Sequence, residues 1–273
     1  MADNGDAWYL HLVGAAKVIS SKLHALGPSG DAREIAERML QQFNDPHAGR
    51  WLLRNFAYRD IVMSVARNQP PLLCSHHFLR LDEPRVPDSH FGLASEVLEI
   101  LALTSEAGQH PIEAPGLVDT FNSLESRLTG WACPSSPDIS LRLLAESYRS
   151  SALIHLYRFM RSACPERQDE LSEKVTDQVA VIVSSVEQMP ARSLPECTLL
   201  FPLFLAGGEA IDESHINSIR NRMLDMIHSR GFRNVGVALS VLEKLWRQRI
   251  DASVGRVDWL DIVQQDGIHL SLS

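Results

Sequence analysis

The sequence predicts an all-α protein, an irregular array of about ten helices in a single domain spanning residues 1–273. Three observations carry that reading. Apolar residues recur at helical spacing over long runs. Capping and breaking residues bracket those runs. No segment alternates apolar and polar residues as a half-buried strand would. An apolar content of 45% against 22% charged places the chain among globular rather than disordered sequences, with length enough to bury a sizeable core.

The elements follow in order. A first helix is expected over 7–26, ended by Gly27-Pro28. Asp31 and Glu34 stand at capping-box spacing before a second, 31–44. Pro46 can open a third over 47–67, closed before Pro70-Pro71. Residues 68–89, with Pro70, Pro71, Pro84 and Pro87, form one long irregular stretch, and a loop of that length is usually functional or mobile. Helices over 90–107 and 116–129 come next, the former stopped at Gly108. Pro137-Asp138 precedes a long apolar helix, 138–162, which ends at Pro165. In 167–188, Leu171, Val175, Val179, Ile182 and Val186 form a seam. Its β-branched residues mimic a strand, but the long register selects helix. A helix over 194–206 is expected to stop at Gly207-Gly208. In 212–229, Ile216, Ile219, Met223, Met226 and Ile227 share a face, with Gly231 as the stop. In 234–250, Ala238, Val241, Leu242, Leu245 and Trp246 form one stripe, with Gly255 beyond. A short helix closes the chain at 257–266.

Lys plus Arg number 26 and Asp plus Glu 34, a net charge of −8. With no basic run, the chain is not expected to grip nucleic acid unaided. Cys74, Cys133, Cys164 and Cys197 are far apart with no CxxC pair, which argues for a reduced intracellular protein, against a disulfide framework and against a zinc ribbon. No secretory signal or membrane-spanning run of 18 apolar residues is visible. Nucleophile-elbow, P-loop and dinucleotide-binding motifs are absent, and no metal or cofactor is called for.

Several segments in order resemble the regulatory, C-terminal domain of fungal zinc-cluster (Zn2Cys6) transcription factors, the second type of fungal-specific transcription factor domain. They are Trp8-x-x-His11-Leu12-x-Gly14-Ala15, then Phe56-Ala57-Tyr58-Arg59-Asp60-Ile61 followed by Pro70-Pro71, and Ala145-Glu146-Ser147-Tyr148-Arg149. Phe201-Pro202-Leu203-Phe204-Leu205-Ala206-Gly207, Gly231-Phe232-x-Asn234, Leu242-Glu243-x-x-Trp246 and Trp259-x-Asp261 complete the set. The family's six-cysteine cluster is not in this sequence, and its usual helical stretch ahead of the W-x-x-H-L segment is missing. His155 stands where the family prefers Tyr, Phe201 where it often has Trp, and Gly208 where it often has Cys. The resemblance implies a regulatory domain that binds a hydrophobic small molecule or a protein partner, with homodimer formation as a further expectation. A nuclear location would go with that role. The missing upstream part leaves a second reading open: a stand-alone, cytoplasmic enzyme of secondary metabolism on the same fold, a cofactor-free cyclase, isomerase or lyase.

Three residues are the candidates for catalysis in that second reading. Asp60 falls inside the apolar face made by Leu53, Phe56, Ala57, Ile61, Ser64 and Val65, so its carboxylate needs a partner or gains proton affinity. It reads either as a general acid/base or as a structural acid capping a neighbouring helix. Tyr148 and His155 are seven residues apart on one helix face, either a polar pair in a pocket with His155 moving a proton near neutrality, or a satisfied core. Trp51, Phe56, Phe159 and Phe201 are the candidate walls of a ligand cavity. Cys74-x-His76-His77 could seed a metal site but has no second pair at finger spacing. Glu209 follows two glycines that could admit a ligand or simply end a helix.

Overall fold

A computed structural model describes residues 4–26, 32–81, 87–250 and 257–273. Gly27-Pro28, Asp31, Pro84 and Gly255, read above as caps and breaks, lie outside the described residues. The chain folds as α1 (Asn4–Leu26), α2 (Ala32–Leu40), α3 (Pro46–Arg67), α4 (Ser95–Ala107), α5 (Leu117–Gly130) and α6 (Ile139–Ala163). It continues as α7 (Gln168–Gln188), α8 (Leu200–Glu209), α9 (Glu213–Arg230), α10 (Arg233–Ile250) and α11 (Trp259–Gln265). Short 3-10 turns cover Ser75–Arg80, Pro165–Arg167 and Leu194–Thr198. The fold is all-α, with no strand among the described residues.

The local signals explain most of the boundaries. Asp45 accepts from the backbone N–H groups of His47 and Ala48 while Pro46 occupies the first turn of α3. Asp138, Asp212 and Asp258 cap α6, α9 and α11 in the same way. Asn68 ends α3 at φ 50° and Gly231 ends α9 at φ 68°, the left-handed geometry that lets a last amide turn back on the helix.

Three expected boundaries are corrected. The second helix stops at Leu40 rather than 44, because Gln42 and Phe43 donate three residues back, to Met39 and Leu40, in a tightened turn. The helix expected from 90 begins at Ser95. Asp88 and Gly92 exchange both backbone hydrogen bonds, at 2.8 and 3.1 Å, and the Asp88 carboxylate takes the amide of His90 at 2.7 Å. The segment 194–206 splits into a 3-10 turn and α8, and α8 runs through Gly207 and Gly208 to Glu209.

Those two glycines serve packing rather than termination. A Cβ on Gly207 would lie 2.7 Å from Leu242 Cδ1, and one on Gly208 would lie 2.8 Å from Trp259 Cδ1. Trp246 donates its indole N–H to the Gly207 carbonyl at 2.9 Å and Arg249 reaches the Gly208 carbonyl at 2.7 Å. Bare backbone therefore lets α10 and α11 close onto α8. Around this, α6 is the central rod, packed against α4, α5, α7 and α8, while α9 and α10 cover the far side of α8. Its 25 residues span about 37 Å. One contiguous apolar cluster runs from α1 to the C-terminal Leu270 and Leu272.

Candidate functional site

Asp60 lies on the buried face of α3 and is 1% exposed. One carboxylate oxygen accepts the Leu72 amide at 2.7 Å; the other accepts the Leu73 amide at 3.2 Å and the Ser75 hydroxyl at 2.9 Å. Burial pushes its proton affinity up and these three donors pull against that. Asp60 thus pins the proline-rich loop to α3 with every bond satisfied by protein.

Tyr148 belongs to a second, separate network. Tyr58 and Tyr148 place their hydroxyls 2.9 Å apart, and Tyr148 donates to the Thr198 carbonyl at 3.1 Å. Tyr58 therefore supplies the proton between the two phenols. Burial, first of all, raises Tyr58 to about 12 and Tyr148 well above its ordinary value.

A third network holds His155. Its Nε2 lies 3.0 Å from Ser105 Oγ, which is 3.1 Å from Ser64 Oγ; Ser64 in turn donates to the Ile61 carbonyl at 2.7 Å. The Ser105–His155 distance is that of a nucleophile and its base. However, burial and then the neighbouring Arg158 charge bring His155 down to about 3, so the imidazole is neutral at physiological pH and a feeble base. The helix spacing does put Tyr148 and His155 on one side of α6, but each hydrogen-bonds within its own network.

His155 also reaches the wall of a half-open cleft of about 380 Å³ at the C-terminal end of α6. Asn68, Arg158, Phe159, Arg161, Ser162, Gln168, Asp258 and Leu260 line the rest. Arg158 bonds Glu209 at 2.6 Å and grips both oxygens of Asp258, at 3.1 and 2.8 Å, and Arg161 bonds the other Glu209 oxygen at 2.8 Å. Glu209 and Asp258 are held below their usual carboxylate values because the guanidinium charges outweigh the burial that opposes them. Arg158 also sits over the Trp259 ring, 5.3 Å from its centroid. Two arginines three residues apart on α6 thus tie that helix to α8 and α11.

The aromatic candidates are scattered. Phe159 lines the cleft, stacked on Phe121 and edge-on to His155. Phe56 and Phe201 are buried in the core, Phe201 stacked on Tyr148. Trp51 is 53% exposed, its ring 6.0 Å from His90. No group of three or more His, Cys, Asp or Glu among the described residues could hold a metal ion, so Cys74-x-His76-His77 gains no further ligand there.

A family model for the fungal specific transcription factor domain matches residues 1–273, the whole chain. The chain belongs to that family. No curated protein and no solved structure matches it. In this fungal transcription factor domain several of the resemblance segments are packing devices. Phe56, Tyr58, Asp60 and Ile61 form the buried face of α3, the Phe201–Gly207 run is buried throughout, and Trp246 and Trp259 clasp α8. No helix among the described residues is long and apolar enough to cross a membrane. Arg158, Arg161 and Ser105 escaped the reading of the sequence, and Ser64 entered it only as part of the face around Asp60. The i, i+3 spacing of the two arginines was a visible signal; the serines gave none.

Proposed function

We propose that this fungal transcription factor domain is a regulatory module that responds to a small molecule held in the cleft beside His155. The observation behind it is the cleft's position: Arg158, Arg161 and Asp258, which take part in the ion pairs joining α6 to α8 and α11, line its wall. An occupant there touches α6, α7 and α11 at once and can bias how they sit, which is what a regulatory readout requires. Phe159 and Leu260 offer an apolar surface, and the neutral imidazole of His155 adds no charge. Action in the nucleus follows from this reading, with DNA contact supplied from outside the sequence described.

The test is a fusion of the chain to a heterologous DNA-binding module driving a reporter, screened with fungal metabolites. Ser162→Trp, on the exposed rim, should abolish an induced response with helical content unchanged. An equal response in both forms, or none with any metabolite, would overturn the proposal.

A second surface favours a protein partner, a second copy of the chain included. Ile211 and Ile250, 76% and 84% exposed, flank a groove of about 360 Å³ with Ile216 and Trp246. Ile211→Glu should dissociate any such assembly in size-exclusion light scattering, and an unchanged mass would count against this surface. The enzyme reading has less behind it, since Asp60 and Tyr148 are enclosed with their polar atoms occupied and His155 holds a proton poorly.

A further inference from the structure

Within the cleft, Arg161 is unusual. Its side chain is 10% exposed, and its one bond among the described residues runs from a single terminal nitrogen to Glu209. Its remaining N–H groups meet no acceptor among the described residues and stand open to the cleft. A planar guanidinium edge that faces open space matches the two oxygens of a carboxylate. Arg158, by contrast, has both terminal nitrogens engaged, by Glu209 and Asp258. The hydroxyl of Ser162 and the amide of Gln168 face the same space and have no partner of their own among the described residues. Beside them lie the Phe159 ring and Leu260.

We infer that the cleft is a site for a monocarboxylic acid with an aromatic or branched apolar body, the carboxylate on the free edge of Arg161 and the body against Phe159 and Leu260. This rests on the effector reading above and names the effector's class. The charge of the site sets the limit of one carboxylate. Among the described residues of the wall Arg161 offers one open guanidinium edge, so a second carboxylate on the guest would find no such edge and would add repulsion with Asp258. Gln168 and Ser162 would hold the outer carboxylate oxygen by neutral hydrogen bonds.

The test is calorimetry and thermal unfolding of the full chain with phenylacetate as the probe, methyl phenylacetate as its neutral counterpart and phenylmalonate as the dianion. Phenylacetate should bind and raise Tm with concentration, with the ester and the dianion each weaker by about ten-fold or more. Arg161→Gln should weaken phenylacetate by a similar factor while leaving ester binding unchanged. Because that variant also removes one Glu209 contact and could fail to fold, Gln168→Ala serves as a second probe, with a loss of a few-fold. Ester binding as tight as the acid, equal affinity in Arg161→Gln, or no binding of phenylacetate at millimolar concentration would each overturn the assignment. The effector reading would survive those outcomes if the reporter still lost its response in Ser162→Trp, so the two failures are distinguishable.

Discussion

Tyr148 accepts a hydrogen bond from Tyr58 and donates one to the Thr198 carbonyl, so the two buried phenols are not equivalent. Tyr58→Phe removes one donor and leaves Tyr148 still bonded, a cost of about 1 kcal/mol. Tyr148→Phe strands both the Tyr58 hydroxyl and the Thr198 carbonyl, and should cost about 2–3 kcal/mol more. Urea unfolding of the two variants gives the order directly, and a reversed order contradicts the hydrogen-bond direction. Gly108 is similarly exacting. It closes α4 at φ −65°, a backbone any residue accepts, yet a Cβ there would stand 2.3 Å from Phe159 Cε1 and Cζ. Gly108→Ala should therefore cost about 1–3 kcal/mol by overpacking, read in the same assay, and should displace Phe159 from the cleft wall. For His155 the folded value, about 3, lies below the ordinary one of about 6.5. The unfolded chain therefore binds the proton first, and stability falls as pH drops from near neutrality toward 3. His155→Gln should flatten that part of the pH–stability curve, and its imidazole should show no titration between about pH 5 and 8 by NMR.

At the scale of elements, the Arg158–Glu209–Arg161–Asp258 cluster fixes how α6, α8 and α11 meet. Both carboxylates titrate below their unfolded values, so their stabilisation is complete above the ordinary carboxylate range and is lost as pH falls below it, through their lowered folded values. Glu209→Gln, which leaves two nearly buried guanidiniums short of a charge, should cost about 3–5 kcal/mol at neutral pH and shift acid unfolding, checked by circular dichroism against pH. The helices themselves were legible because their apolar residues repeat at a fixed period and Pro46 and Pro137-Asp138 announce two of the starts, while the caps Asp45 and Asp212 went unread. The meeting of elements was less so. Gly207 and Gly208 resemble a helix stop in sequence, and only the approach of Leu242, Trp246 and Trp259 explains why α8 continues through them. Likewise the buried stripe of α3 marked Asp60 as an acid needing partners, but those partners, Leu72, Leu73 and Ser75, come from a loop with no period to read.

At the scale of the whole molecule, α6 carries two of the three polar networks and one wall of the cleft. Seven residues correctly placed Tyr148 and His155 on one side of the rod, but what separates them is the neighbour each one faces: Tyr58 on α3 and the Thr198 turn for Tyr148, and Ser105 on α4 for His155. Such neighbours are distant in sequence and leave no spacing signal. The same holds for the cleft, whose wall draws residues from α6, α7 and α11 and the end of α3. The membership of Arg161 in that wall was therefore hidden, although its position beside Arg158 was plain.

Trp259 lies beneath the Arg158 guanidinium and against the bare backbone of Gly208, almost wholly out of water. An indole so placed is an optical gauge of the chain's last helix. If α11 lifts, the ring loses its cation and meets solvent together, and its emission should redden before the core as a whole gives way.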